Sequence, residues 1–187
     1  HAAGLDPNHL AFTELNLMLD TLHYTQQGVL TAGLGGLSLK EKSGLAVSRL
    51  QGSVYMDSTQ LRLPALNLRT PYSRVDATVS FDFKALQAGK GGHCHLDVDA
   101  SIGREDLRCL ASGLVDDACL NLLPAQPLTL KAQAEGNMDH LRLPQLSLHL
   151  PGMARLEAKG YVTQPMSEHR SGHFEADLRT QNLTAVK

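Results

Sequence analysis

Apolar and polar residues alternate along most of this chain, and the alternation predicts β-strands. Residues 75–83 are the clearest case, because apolar side chains at every second position alternate with polar ones from Arg74 to Asp82. Strand side chains point alternately to the two faces of a sheet, so the pattern is typical of a half-buried antiparallel strand. Residues 93–102 repeat it. The apolar positions of the two strands are Val75, Ala77, Val79, Phe81, Phe83, Cys94, Leu96, Val98, Ala100 and Ile102.

Short polar or glycine-rich turns separate further segments with the same character. One strand follows another with a single helical interruption, which predicts an all-β antiparallel meander. A turn is expected at 23–28, and the glycines within 29–39 are expected to bend that strand. The remaining strands are predicted at about 10–20, 29–39, 45–54, 60–69, 128–134, 140–150, 153–163 and 173–184.

One short helix is predicted at about 104–112. Apolar residues there recur at helical spacing, from Leu107 to Leu114, and Gly113 can end the helix. Glu105 and Asp106 lie in its first turn, where they complement the helix dipole.

A leucine–proline motif occurs twice, at 61–71 and 141–151, and a degenerate copy lies at 10–17. Its apolar residues fall two positions apart except across the proline, where the step is three. A step of three reverses the face unless a bulge absorbs one residue, and proline suits a bulge because it has no N–H to donate. We therefore predict bent strands with bulges at Leu63–Pro64 and Leu143–Pro144. The alternative is two short strands joined by a corner.

Composition excludes several classes of function. The 187 residues carry a formal net charge of −2, and only 4% of them are aromatic. A nucleic-acid partner is not expected without a basic stripe or stacking aromatics. No apolar run has the length of a membrane-spanning helix. The three cysteines, Cys94, Cys109 and Cys119, permit at most one disulfide. Because the sequence starts at His1, we expect a fragment of a longer chain.

Catalytic and metal-binding patterns are weak. His93, His95 and Asp97 share one side of a predicted strand and are the best candidates for a metal site. The alternative, a solvated polar strand face, fits the same residues, and we expect no metal. Nucleophile and phosphate-loop motifs do not occur, so we expect neither an enzyme nor a bound cofactor.

The apolar strand faces are the remaining signal. A single helix cannot cover them. The sheet must therefore close into a barrel, pack on a second sheet, or leave its apolar face for a ligand.

Several short motifs resemble a repeat of AsmA/TamB-like proteins, particularly those of the Bacteroidota. These motifs are Ser43-Gly44-Leu45, Leu50-Gln51-Gly52, Asp57-Ser58-Thr59 and Leu66 to Ser73, followed by the strand from Val75 to Phe83. Residues 102–107 resemble the small helical element of that family. The resemblance covers 43–112, and 128–163 follow by repetition.

The resemblance implies a curled, taco-like sheet or open half-barrel with an apolar groove. It implies one β-rich segment, 1–187, of a larger periplasmic protein anchored in the inner membrane, with repeat units at 43–112 and 127–187. The implied function is non-enzymatic: transport of phospholipid toward the outer membrane, or outer-membrane protein assembly. Implied partners are phospholipid acyl chains, adjoining segments of the parent protein and the assembly machinery. Expected groove residues are Leu66, Leu68, Val75, Val79, Phe81, Phe83, Leu96, Val98, Ile102, Leu146 and Leu148. The competing hypothesis is a structural or adhesive β-module with a closed core and no ligand.

Overall fold

The computed structural model describes residues 12–41, 46–111, 123–165 and 167–180, and these form one antiparallel sheet of ten strands. A 3-10 helix, Phe83–Leu86, and one α-helix, α1 (Arg104–Ala111), interrupt the strands. The strands are β1 (Phe12–Tyr24), β2 (Leu30–Glu41), β3 (Ala46–Met56), β4 (Gln60–Arg69), β5 (Arg74–Asp82), β6 (Cys94–Ile102), β7 (Leu128–Gly136), β8 (His140–Leu150), β9 (Ala154–Thr163) and β10 (Ser171–Thr180).

Each strand pairs with its neighbours in the chain, so the spatial order is β1 to β10. The predicted all-β antiparallel meander is confirmed, as is the helix predicted near 104–112. The sheet is open, because β1 pairs only with β2 and β10 only with β9 among the described residues. They contain no second sheet, so a core closed by two packed sheets is not formed within them.

Several strand boundaries differ from the sequence prediction by a few residues. The turn expected at 23–28 starts later, because His23 and Tyr24 still pair with Thr31 and Leu30 across the β1–β2 hairpin. The strand expected to reach Phe83 ends at Asp82, where the chain turns into the 3-10 helix. Residues 181–184, predicted to end the last strand, lie outside the described residues, as does Cys119.

Cross-strand register shows that one face of the sheet is apolar from edge to edge. Residues directly opposite in paired strands share a face. Starting at Leu17, one row of such residues crosses all ten strands without a polar side chain. We call this side the apolar face. The row is Leu17, Leu37, Leu50, Leu68, Val75, Ala100, Leu130, Leu148, Leu156 and Leu178.

The opposite side, the polar face, carries charged and amide side chains in neighbouring rows. One of its rows runs from Asn67 through Asp76, Asp99 and Lys131 to Ser147. Alternation along each strand therefore sorts the side chains of the ten strands onto two chemically different surfaces.

Hardly any side chain is fully buried. Among the described residues, the buried apolar side chains are Ala85 and Ala100, and many large apolar side chains remain exposed. Leu17 is 60% exposed, Leu22 63%, Phe174 57% and Leu178 63%. A domain of this size ordinarily encloses a core, whereas no second layer covers the apolar face among the described residues.

Candidate functional site: the uncovered apolar face

The predicted groove residues lie together in the central strands. Leu68 pairs with Val75, Val79 with Leu96, and Leu148 lies opposite Leu130 in the same ladder. All of the predicted positions in strands are on the apolar face, and most are half-buried by their neighbours in the sheet. The strand positions brought together are Leu66, Leu68, Val75, Val79, Phe81, Leu96, Val98, Ile102, Leu146 and Leu148.

Phe83 was expected in a strand but belongs to the 3-10 helix. Its ring still meets the ring of Phe81 edge-on, with 5.7 Å between centroids. The backbone N–H of Phe83 donates to the carbonyl of Thr59, which holds the start of the helix against the β3–β4 turn. Phe83 therefore lies beside one end of the apolar face and contributes to it from outside the ladder.

Sequence reasoning missed the outer parts of this face. Leu15, Leu19 and Leu22 of β1 belong to it, as do Phe174 and Leu178 of β10. The alternating leucines of β1 were a usable signal, but the expected groove was limited to the segments with the strongest repeat.

The polar face is neutralised by ion pairs between strands. Arg69 lies 3.0 Å from Asp76, Lys131 3.2 Å from Asp99, and Lys159 3.0 Å from Glu175. These groups remain partly exposed, so each pair adds little stability. The polar face therefore carries paired charges of both signs, on the side opposite the apolar face.

The helix α1 is attached at the end of the sheet that holds the β4–β5 turn. Asp106 is only 4% exposed, and its carboxylate accepts hydrogen bonds from the hydroxyls of Thr70 and Ser73. Ser73 Oγ in turn accepts the backbone N–H of Gly103 at 3.0 Å. The helix is thereby fixed to a turn that lies more than thirty positions earlier in the sequence.

At the opposite end, two turns have the same hydrogen-bonded structure. Asp57 Oδ1 accepts the backbone N–H of Thr59 at 2.7 Å and of Gln60 at 3.0 Å. Asn137 Oδ1 accepts the N–H of Asp139 at 2.9 Å and of His140 at 3.0 Å. These Asx turns lead into β4 and β8. The repeat detected from the leucine–proline motif therefore includes the preceding turn.

The Asx turn at Asp57 is built around an ionised carboxylate. The pKa of Asp57 is lowered well below its usual value, chiefly because the Thr59 side chain and then the Thr59 backbone donate hydrogen bonds to it. The side chains of Gln60 and Tyr55 also donate to Asp57. The hydrogen bond between Tyr55 and Asp57 in turn raises the pKa of Tyr55.

Bulges interrupt β4 and β8 at the predicted steps. The four residues from Leu63 to Leu66 of β4 lie opposite only three residues of β5, and Leu143 to Leu146 stand in the same relation to β9. The leucines on both sides of each bulge stay on the apolar face. The bulge prediction is therefore confirmed, and the corner alternative is wrong. Thr78 Oγ1 donates to the carbonyl of Pro64 at 3.0 Å across the first bulge.

The two proline bulges lie in one transverse row. Thr78, opposite the first bulge, pairs with Asp97, which pairs with Gln133, which pairs with Gln145 in the second bulge. A third irregularity, at Asp20 of β1, lies close to the same row. Bulges bend a strand and increase its local twist. Their alignment places the bends of β4 and β8 along one line, which we call the crease.

The described residues include no group of three or more His, Cys, Asp and Glu side chains able to hold a metal ion. Asp97, considered with His93 and His95, instead accepts a hydrogen bond from Gln133 Nε2 at 2.9 Å. Cys94 carries a half-buried free thiol on the apolar face, and burial raises its pKa.

A shallow depression of about 360 Å³ lies on the polar face beside the second bulge. Its charged groups are already engaged, since Lys159 pairs with Glu175 and Glu157 with Arg155. Pro144, Ala158 and Ala176 supply the apolar part of its lining. It contains no convergent set of groups able to act on a substrate.

Neither α1 nor the 3-10 helix approaches the length of a membrane span, and the described residues contain no other helix. No protein-family model matches the sequence, and no curated protein or solved structure matches it significantly. The functional argument therefore rests on the chemistry of the two faces.

Proposed function

We propose that this chain is a non-enzymatic segment of an envelope protein of the AsmA/TamB-like kind, and that its apolar face holds phospholipid acyl chains. The observation that supports the proposal is the apolar face itself. It crosses all ten strands and has no charged side chain in the row of cross-strand pairs that defines it. The described residues leave it uncovered. Such surfaces on soluble proteins are ordinarily binding sites.

The expected binding is loose and governed by area. Hydrocarbon gains about 25 cal/mol for each Å² of apolar surface removed from water. Near the central ladder, Arg69, Arg74 and Lys131 project from the polar face and already pair with Asp76 or Asp99. They are poorly placed to hold a phosphate. Lipids that share acyl chains but differ in headgroup should therefore bind with similar affinity.

In this proposal the chain belongs to an inner-membrane-anchored protein in the periplasm and contributes to moving lipid toward the outer membrane or to outer-membrane protein assembly. The resemblance of residues 43–112 to AsmA/TamB-like repeats supports this location. The separation of an apolar from a polar face suits a surface that contacts lipid on one side and water on the other.

Site-specific photo-crosslinking in cells tests the lipid claim in the intact protein. A photoreactive residue replaces Phe81, Val98 or Leu148 on the apolar face. Matched controls replace the preceding residues, Ser80, Asp97 and Ser147, which lie on the polar face. Phospholipid adducts should form at the first three positions and not at the controls.

Absence of adducts at every position would contradict lipid binding and favour a structural β-module. Equal labelling of both faces would contradict the assignment of the site to the apolar face.

A further inference from the structure

Strand register aligns basic side chains along one row of the polar face. The row crosses β3 to β10, and none of its members carries a carboxylate. These residues are dispersed through the sequence, so only the pairing of the strands brings them into line. A serine and a threonine occupy the middle of the row, and its basic members are Arg49, Arg69, Arg74, His149, Arg155 and Arg179.

Three of these basic residues line a depression beside the β8–β9 turn, which we call the rim depression. Its volume is about 260 Å³, and its basic lining residues are His149, Arg155 and Arg179. The rest of its lining consists of uncharged residues between Leu150 and Ala154. The rim depression is therefore lined by hydrogen-bond donors of basic side chains and by no carboxylate.

Both arginines are oriented by carboxylates of the neighbouring row. Nε of Arg155 donates to Oε1 of Glu157 at 2.9 Å, and its Nη2 lies 2.9 Å from the same oxygen. Nε and Nη2 of Arg179 donate to Oδ2 of Asp177 at 3.1 and 2.8 Å. A guanidinium has five N–H donors in a rigid plane. Those of Nη1 are engaged by no other described residue, so each arginine is held in place and still has donors for a second anion.

The electrostatics of the two arginines also favour an anion. Arg155 and Arg179 lie directly opposite each other in the β9–β10 ladder. Like charges in that position destabilise a sheet. Glu157 and Asp177 offset part of this repulsion from the side, and an anion between the guanidinium groups would offset more of it. Phosphate matches the donors best, since its several oxygens accept paired hydrogen bonds from arginine.

We propose that the rim depression binds a phosphate group, held by Arg155 and Arg179 with His149 as a further donor. Free phosphate and the headgroup of a phospholipid present the same chemistry to these residues. Leu150 and Ala154, which pair across the turn, belong by alternation to the apolar face. The rim depression therefore lies where the two faces meet, and a phospholipid held there would have its acyl chains next to the apolar face.

Titration of the purified 187-residue chain with inorganic phosphate tests the site. Calorimetry is performed at constant ionic strength, with chloride as the replaced anion. Wild type should bind phosphate saturably, and Arg155→Gln and Arg179→Gln should each weaken binding by about tenfold, because each loses a charge-assisted hydrogen bond. Circular dichroism verifies that the variants retain the β-sheet.

Arg142→Gln is the matched control. Arg142 lies on the polar face 3.4 Å from Glu135, and its side chain is 62% exposed, against 63% for Arg155. It does not line the rim depression. This variant should bind phosphate as wild type does.

Vesicles of phosphatidylglycerol separate the two sources of the phosphate. Co-sedimentation measures the binding of wild type and of the three variants. A severalfold loss in Arg155→Gln and Arg179→Gln, but not in Arg142→Gln, identifies the lipid headgroup as a ligand. Vesicle binding that is unchanged in all variants, with inorganic phosphate binding lost in the two site variants, identifies free phosphate.

A wild type that binds neither inorganic phosphate nor the vesicles would overturn the proposal. So would binding that Arg155→Gln and Arg179→Gln leave unchanged. An equal loss in Arg142→Gln would also overturn it, by showing a general effect of charge. The inorganic phosphate titration does not involve the apolar face, so its result is independent of the acyl-chain sites, which crosslinking at Phe81, Val98 and Leu148 tests.

Discussion

At the scale of single residues, Asp106 has the most demanding environment. It is the buried charged side chain among the described residues, and the hydroxyls of Thr70 and Ser73 are its hydrogen-bond partners. Burying a carboxylate without such partners would be costly. The contact therefore explains how a short helix stays attached to a sheet that has almost no core.

Asp106→Ala should lower the free energy of unfolding by about 2–3 kcal/mol, because it removes a charged acceptor and leaves two hydroxyls without it. Glu105→Ala is the matched control, since Glu105 precedes it on the same helix and is exposed. Urea denaturation measures both. Equal losses at the two positions would show that the contact between α1 and the turn adds no stability.

Phe81→Asp tests whether the apolar face is open. Its ring is half-buried and touches Phe83, but no second layer covers it among the described residues. The substitution should therefore cost about 1–2 kcal/mol, less than the roughly 3–5 kcal/mol of a phenylalanine removed from a sealed core. Ser80→Asp adds the same charge to the polar face and should cost less. A loss at the sealed-core level would mean that another layer covers Phe81.

The Asx turn at Asp57 should make stability depend on pH under acid conditions. Its pKa is lowered on folding, so the stabilisation is complete above the unfolded value of 3.8 and is lost as pH falls through the lower folded value. Wild type and Asp57→Asn are compared by denaturation from neutral to acid pH. The advantage of the wild type should shrink below about pH 4. An advantage independent of pH would contradict the role of the carboxylate charge.

Residue roles were predictable from sequence where they depend on neighbours in the same strand. Val79, Leu96 and Phe81 were assigned to one face because alternation with a period of two depends on strand geometry alone. The partners of Asp106 were not predictable. They lie 36 and 33 positions away, and only the assembled sheet brings them to the helix.

At the scale of elements, the proline bulges keep each leucine motif on one face. Four leucines of β4 face the same way because Pro64 and Ala65 together occupy the space opposite Thr78. The three-residue step in the sequence predicted this bulge and its copy in β8. The alignment of both bulges along the crease was not predictable, because it depends on the register of five strands.

Two single-residue deletions separate the bulge from the facing of the leucines. Deleting Ala65 restores regular alternation and keeps Leu66 and Leu68 on the apolar face. Deleting Asn67 forces one of these leucines onto the polar face. Deleting Asn67 should therefore lower the free energy of unfolding by about 1–2 kcal/mol more than deleting Ala65. This difference is the free energy lost when one leucine side chain moves from the apolar face into water. Denaturation of both variants measures the difference, and equal losses would show that the bulge does not set the facing of the leucines.

At the scale of the whole molecule, stability should decline from the middle of the sheet to its edges. Ala100 in β6 is buried, whereas every residue of β10 is exposed. Amide hydrogen exchange should therefore be slowest in β5, β6 and β7 and fastest in β1 and β10. Uniform protection across all ten strands would contradict this gradient.

The neighbour-to-neighbour pairing of the strands also limits how such a sequence can change in length. Every hairpin contacts only the strands before and after it in the chain, so one can be gained or lost without altering any other pairing. A single strand cannot be gained or lost in this way, because every later strand would then run in the opposite direction. Evolution of this sheet should therefore proceed by whole hairpins. The separation of 80 positions between the Asx turns at Asp57 and Asn137, which spans four strands from β4 to β7, agrees with duplication in such even steps.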